Sequence, residues 1–411
     1  MKESRQARAV RDRKSHLSAD AEKLVGGALG MANSGSRVED RFWDAQLSGY
    51  LDSLLAHGHA QPIYDALERL HQTDHEAYGA LIEAVEENAE SLVIEHEGES
   101  WQVLLVCAPM VAWTRFHIPS GPLDKKTSQA ITDIWQQVIL VPQARFHLLP
   151  GMFSIDQLPR DYAGLRTLAH RLGTEAVTGK APPVSERKIP ESAAMLADTR
   201  FLVGAVAVPK GGAVFRWQAG ESTVSKSPAA QGGQLTRMSS LEKWVEQVRP
   251  IATGLLPGCG FESLLPDAYH INMRESDRRV RPYGIRAAVH FLTHAVAVEA
   301  SAVKAVVAAF GYERCDEYRI GLTIDPDGEE LAHGIVWPLL GAESEADDPA
   351  PLDRIKELLG EAGLTDIVFW AGMTEPEYCE DCGAPLFPND KGEVVHAELP
   401  VDIAPESANF H

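Results

Sequence analysis

From residue 17 to 92 apolar positions recur every three or four residues, the spacing of helices that bury one face. Leu24, Val25, Ala28 and Leu29 fall on one stripe; Phe42, Trp43, Leu47, Leu51, Leu54 and Leu55 fall on the next. Ser18 stands where a helix cap belongs, Asn33-Ser34-Gly35 ends the first helix, and Ser36-Arg37-Val38-Glu39 reads as a capping box for the second. Two further helices are predicted at 61–71 and 74–90. The acidic end at Glu83, Glu86, Glu87 and Glu90 reads as a solvated face.

After residue 93 the pattern changes to short apolar runs alternating with helical stretches. The order strand, hairpin, strand, helix, strand is predicted three times. The first pass has strands at 102–108 and 112–117, a helix at 128–139 and a strand at 144–149. The second has 200–208, 213–217, a helix at 241–255 and 260–265. The third has 318–324, 331–339, a helix at 352–362 and 366–371. Leu148-Leu149-Pro150 matches Leu264-Leu265-Pro266, and helices at 163–172 and 284–309 follow the first two passes. Across the pass boundary the order is β-α-β-β-α-β, that of ferredoxin-like units with helices on one face of the sheet. The stretches 178–190, 220–237 and 343–351 read as linkers or exposed loops.

The expected fold class is therefore α+β: a basic tail (1–16), a helical region (17–92), three β-α modules (93–177, 195–310 and 316–373), and a terminal zinc-knuckle-like hairpin with its tail (374–411).

Charge and cysteines narrow the class. With 411 residues and a net charge of −21, the chain is a poor general polyanion binder, and nucleic acid is not expected as a partner. The basic tail with Arg5, Arg8, Arg11 and Arg13 is either a solvated terminus or a contact for an acidic surface. Five cysteines with one close pair point to a reducing compartment, the cytoplasm, rather than to a disulfide framework. The longest apolar stretch, 289–310, carries His290, His294, Glu299 and Lys304, so no membrane span is expected.

The chemistry is concentrated near the end of the chain. Cys379-Glu380-Asp381-Cys382-Gly383 supplies two sulfur ligands on a tight turn, and Gly383 permits the left-handed backbone such turns use. Asn389-Asp390-Lys391-Gly392 is a reversal signal, and a hairpin there returns His396 toward the cysteines. Cys379, Cys382 and His396 are the candidate ligands of a structural zinc ion. His411, Cys315, His333 or a carboxylate are open choices for a fourth. A redox dithiol and an inert turn are the alternatives; Pro385 and Pro388 oppose the helix that a redox pair usually opens.

A second candidate is the arginine-rich stretch 274–286, read as a loop before a helix. Arg274, Arg278, Arg279 and Arg281, with His270, form a candidate site for an anionic ligand. Pairing of these arginines with Glu275, Asp277 or other surface acids is the competing reading. His290 and His294 share a helix face, but Phe291 stands where a zincin has its glutamate. Cys107, Cys259 and Cys315 read as structural thiols, and no phosphate-loop or nucleophile-elbow motif is present.

Asn33-Ser34-Gly35-Ser36-Arg37-Val38-Glu39-Asp40-Arg41-Phe42-Trp43 and the segment 379–396 resemble a bacterial family defined only as domain of unknown function 2863. The resemblance implies no activity and no catalytic residues. Two functions remain: a binding or regulatory protein with a structural zinc knuckle and an anionic small molecule or a protein as partner, or an enzyme acting on an anionic or phosphorylated small molecule through 274–286, with His270 as acid or base.

Overall fold

The computed structural model describes residues 17–180, 192, 195–221, 236–295, 297–312, 314–324, 331–340, 343, 347 and 349–398. The tail 1–16 and most of 178–190 and 220–237 lie outside them. Four helices come first: α1 (Ala19–Ala32), α2 (Arg37–Ala56), α3 (Gln61–Thr73) and α4 (His75–Glu90). Ser18 Oγ accepts the Ala21 N–H at 3.1 Å and Ser36 Oγ accepts the Glu39 N–H at 3.3 Å. Glu39 reaches back one residue further than a capping box, to the Gly35 N–H at 2.9 Å. Gly30 lets α1 approach α2 closely, since a Cβ there would lie 2.4 Å from the Trp43 ring.

The first sheet is built on two long antiparallel strands, β2 (Glu99–Trp113) and β6 (Ala197–Pro209). β1 (Ser91–His96) pairs with β2, and β4 (Arg145–Leu148) with β6. The short β3 (Gly121–Pro122) and β5 (Gly151–Met152) pair with each other. Helices α5 (Lys125–Ile134) and α6 (Tyr162–Thr178) follow β2 and flank β4. A short α7 (Arg216–Glu221), α8 (Arg237–Leu255), β7 (Gly260–Ser263) and β8 (Asp267–Ala268) come after β6, and both short strands pair with β2. Each long strand thus receives the short strands of the other pass.

Side chains alternate across β2. Trp101, Val103, Leu105 and Cys107 join a core with α6 and the four-helix region; Val106, Ala108, Met110 and Ala112 join another with α5 and α8. Burial on both faces is why these strands read as continuous apolar runs. It also corrects the expectation of helices on one face only.

The predicted break between 102–108 and 112–117 does not exist. Pro109 sits in the gap between the pairings of β7 and β8, where β2 needs no N–H. The predicted strand 213–217 shrinks to one bridge between Phe215 and Leu140, because Gln218 Oε1 accepts both the Val214 and Phe215 N–H at 3.0 Å. β4 and β6 run antiparallel on either side of α6, which differs from a ferredoxin-like crossover.

α9 (Tyr269–Ala295) is a 27-residue helix, about 40 Å long. Tyr269 packs in the core of the first sheet, while Ile285, Ala288, Val289 and Leu292 pack under a second sheet. That sheet has the order β11-β10-β9-β12, from β9 (Lys304–Phe310), β10 (Glu317–Thr323), β11 (His333–Pro338) and β12 (Asp366–Thr374). α10 (Pro351–Glu361) precedes β12, which runs parallel to β9. The apolar run 304–310 was expected to continue the helix 284–309; buried on both faces as a strand, it looks the same in sequence. The second sheet therefore starts inside the module expected at 195–310. Helices cover one of its faces. The other carries the C-terminal hairpin of β13 (Phe387–Pro388) and β14 (Val394–Val395).

Candidate metal centre and arginine groove

The knuckle is held at its base by Arg319 of β10, which has no exposed surface. Its Nη1 donates to the carbonyls of Glu377 and Leu386, both at 2.7 Å, so one guanidinium ties the chain entering the knuckle to the chain leaving it. Its charge is met by Glu317 at 2.6 Å and by the faces of Phe310 and Tyr378, 4.5 and 5.0 Å away. Above this clamp Cys379 N–H donates to Ala384 O and Gly383 N–H to Cys379 O, each at 2.8 Å, with Gly383 at φ +73°. The reversal at 389–392 is closed by Asn389 Oδ1, which accepts the Lys391 and Glu393 N–H at 3.0 and 2.9 Å.

This hairpin brings the ligand atoms of Cys379, Cys382 and His396 within 4.8 Å of one another. Cys382 Sγ is 3.3 Å from His396 Nε2. On the other side of the ring, Nδ1 lies 2.9 Å from Glu398 Oε1. A carboxylate only accepts, so Nδ1 carries the proton and Nε2 presents a lone pair toward the sulfurs. Backbone N–H groups of Cys382 and Asp381, aimed at the Cys379 sulfur, hold that thiol below the usual range and favour the ligating thiolate. Of the residues considered for a fourth ligand, Cys315 bonds to Glu317 O at 3.5 Å and His333 stands on β11; neither joins the cluster. His411 lies outside the described residues.

The arginine-rich stretch is not a loop but the middle of α9. The helix runs through Pro282. Ion pairs at helical spacing replace the expected loop, with Glu275 2.9 Å from Arg279 and 3.9 Å from Arg278. Helical geometry splits the five candidates. Arg274, Arg278 and Arg279 line a groove of about 1190 Å³ between α8, β7 and α9. Arg281 is turned away and buried, with Nη1 and Nη2 on Glu343 at 2.8 and 3.0 Å and its plane 4.8 Å from the Trp337 ring. This is a bidentate pair inside the protein, so Arg281 is not available to a ligand at the groove.

His270 is also turned away, into the junction of α9 with the helical region. Its N–H donates to Glu90 at 2.8 Å, and its Nδ1 is 3.8 Å from Glu86, which also pairs with Arg274. Burial pushes the imidazole down to about 4 and the Glu90 carboxyl up to about 8, so both are neutral near pH 7. Glu90 and Glu86, read as a solvated face, are instead an interface. His290 and His294 stack with centroids 3.9 Å apart, and among the described residues no third ligand group gathers with them. Cys107 is buried with its thiol 3.7 Å from Tyr269 O.

Sequence reading missed Glu398, Arg319 and the groove residues Arg237 and Arg249. Glu398 had a signal, two strand positions from His396 and so on the same face. Arg319 had none, because its partners are backbone carbonyls 58 and 67 residues away.

Comparison with known proteins gives one match. The family model for a protein of unknown function (DUF2863) covers residues 9–410, and the chain belongs to that family. No curated protein and no solved structure matches it. Among the described residues no helix is long and apolar enough to cross a membrane.

Proposed function

We propose that this chain is a binding protein whose C-terminal knuckle holds one structural zinc ion through Cys379, Cys382 and His396. The observation that carries the reading is the convergence of two thiols and one imidazole within 4.8 Å. Zinc–sulfur and zinc–nitrogen bonds of about 2.3 and 2.0 Å place tetrahedral ligands roughly 3.5 Å apart, close to the 3.3 Å between Cys382 and His396. Two sulfurs and a nitrogen are the donor set zinc prefers over the oxygen-seeking cations. The arginines and His270 do not converge on one pocket, which favours a binding role over catalysis on an anion. Free thiols at all five cysteines support a reducing, cytoplasmic setting. The reciprocal pairing of β4 with β6 and of β7 with β2 supports a duplicated unit beneath this role.

Elemental analysis of protein purified without chelator tests the zinc. About one zinc per chain is expected, and its loss in the Cys379→Ser, Cys382→Ser double variant. Full zinc in that variant overturns the assignment. So does metal-free protein whose two thiols form a reversible disulfide without loss of structure, which is the outcome for a redox pair.

A further inference from the structure

The arginine groove runs along an edge of the first sheet that no further described strand covers. Its floor is β7 with Leu264 and Leu265, and its walls are α8 and the first half of α9. Among the described residues β7 pairs only with β2. Leu264 donates its N–H to Pro109 O at 2.9 Å. Alternate residues of an antiparallel strand face the partner, so Glu262 also faces β2, and Phe261 and Ser263 turn their N–H and C=O groups toward the groove. An edge of this kind is a template for one more strand.

The walls fit a polypeptide. Met238 and Ile271 stand at the groove with 64% and 47% of their surface exposed, and Phe261 and Leu241 line it with them. At about 1190 Å³ the groove exceeds the roughly 300–1,000 Å³ of small-molecule sites and suits an extended segment. Its charge opposes that of the chain. Arg237, Arg249, Arg274, Arg278 and Arg279 line it against Glu262 and Glu275, in a protein of net charge −21. The other paired carboxylates, on Glu86, Asp267 and Glu343, are only 12%, 6% and 23% exposed and stand behind the guanidinium groups. Arg249 makes no ion pair among the described residues. Each guanidinium carries five N–H donors, more than these pairs use.

We propose that the groove docks an extended segment of a partner protein, with alternating apolar and acidic side chains, that adds a strand to the free edge of β7. Main-chain bonds to Phe261 and Ser263 would fix its register. One row of side chains would meet Met238 and Leu241 on α8, and the carboxylates of the other row would meet Arg278 and Arg279 on α9. A nucleic acid offers neither the strand edge nor the apolar row, and the chain's net charge repels it. The inference names the partner class for the binding role above and does not involve the knuckle.

The test uses the full chain and a labelled, end-blocked heptapeptide alternating glutamate with valine and phenylalanine, followed by fluorescence anisotropy. The lysine counterpart of the peptide and a thymidine oligonucleotide of equal charge are the comparison probes. Saturable binding of the acidic peptide is expected, with slowed amide exchange at residues 260–265. Arg278→Glu with Arg279→Glu should weaken it at least tenfold. So should Met238→Glu with Ile271→Glu, a pair at exposed positions that leaves the melting temperature in place. No binding, no protection of 260–265, equal binding of the lysine peptide, preference for the oligonucleotide, or indifference to both double variants overturns the proposal. Zinc content, measured on the same samples, should be unchanged throughout; a failure of the groove with zinc retained is thus distinct from a failure of the knuckle.

Discussion

Gly321 and Gly334 face each other across β10 and β11, and together they leave the space in which the knuckle lies. A Cβ on Gly334 would stand 2.2 Å from the Phe387 ring, and one on Gly321 would stand 2.2 Å from the Pro388 carbonyl oxygen. The seat is thus made by removing side chains from one face of the second sheet, at a cost in strand propensity. Gly334→Val should push Phe387 out of its buried position, with an overpacking cost of about 1–3 kcal/mol. The expected outcome is faster amide exchange confined to residues 377–396 and weaker zinc retention, with the exchange of α1 to α4 unchanged. Uniform loosening of the whole chain would show that Gly334 serves the sheet rather than the knuckle.

Glu398 holds the ring of His396 from the side opposite the thiols. Such carboxylates orient the ligand and raise its basicity, and their loss typically weakens metal binding 10–100-fold. Glu398 is 78% exposed, so the low end, about tenfold, is expected for Glu398→Gln, where the amide oxygen still accepts. Competition with a chromophoric chelator measures it. An affinity equal to that of the unmodified chain would mean that the hairpin alone positions His396.

Much of this centre was legible because its determinants are local. Cys379, Cys382 and Gly383 are a turn, and Asn389 to Gly392 reverse the chain, so the convergence with His396 followed from counting residues. The caps at Ser18 and Ser36 and the elements β10, β11, α10 and β12 were legible for the same reason. The arginine stretch was not. Its helix is held by Glu275 pairs and by distant partners such as Glu343 and Glu86, while Pro282 signals a break. The run 304–310 carries no period that separates a strand buried on both faces from a helix, and its neighbours β10 and β12 decide it.

Arg279 and Arg281, two residues apart on α9, should respond unequally to the same substitution. Arg281 is 8% exposed and bidentate with Glu343, and removing one member of a buried pair costs about 3 kcal/mol at the low end. Arg279 is 53% exposed and bonds to Glu275 within the helix, a contact of roughly 0.5 kcal/mol. Arg281→Gln is expected to lower the melting temperature clearly and Arg279→Gln hardly at all. Equal effects would contradict the split between a buried junction and an open groove.

The junction of α4 with α9 should make stability fall at alkaline pH. Burial raises the Glu90 carboxyl from 4.5 to about 8, against the smaller opposing effect of the His270 N–H that it accepts. The folded chain therefore binds a proton at Glu90 that the unfolded chain has released between these values, and stability declines as pH rises from about 4.5 through 8. His270, lowered to about 4, is neutral in both states above its ordinary value of 6.5, so the window from there to pH 9 isolates Glu90. Glu86, itself raised by burial, Arg274 and Asp267 face the same carboxyl, and the raised Cys107 thiol stays neutral over that window. Glu90→Gln keeps the oxygen that accepts from His270 and carries no charge. Its unfolding free energy should match that of the unmodified chain at about pH 4.5 and below and exceed it increasingly as pH rises to about 8, by an amount on the order of a few kcal/mol. A difference that does not vary with pH would mean that Glu90 stays ionised in the folded protein, paired across the junction with Arg274.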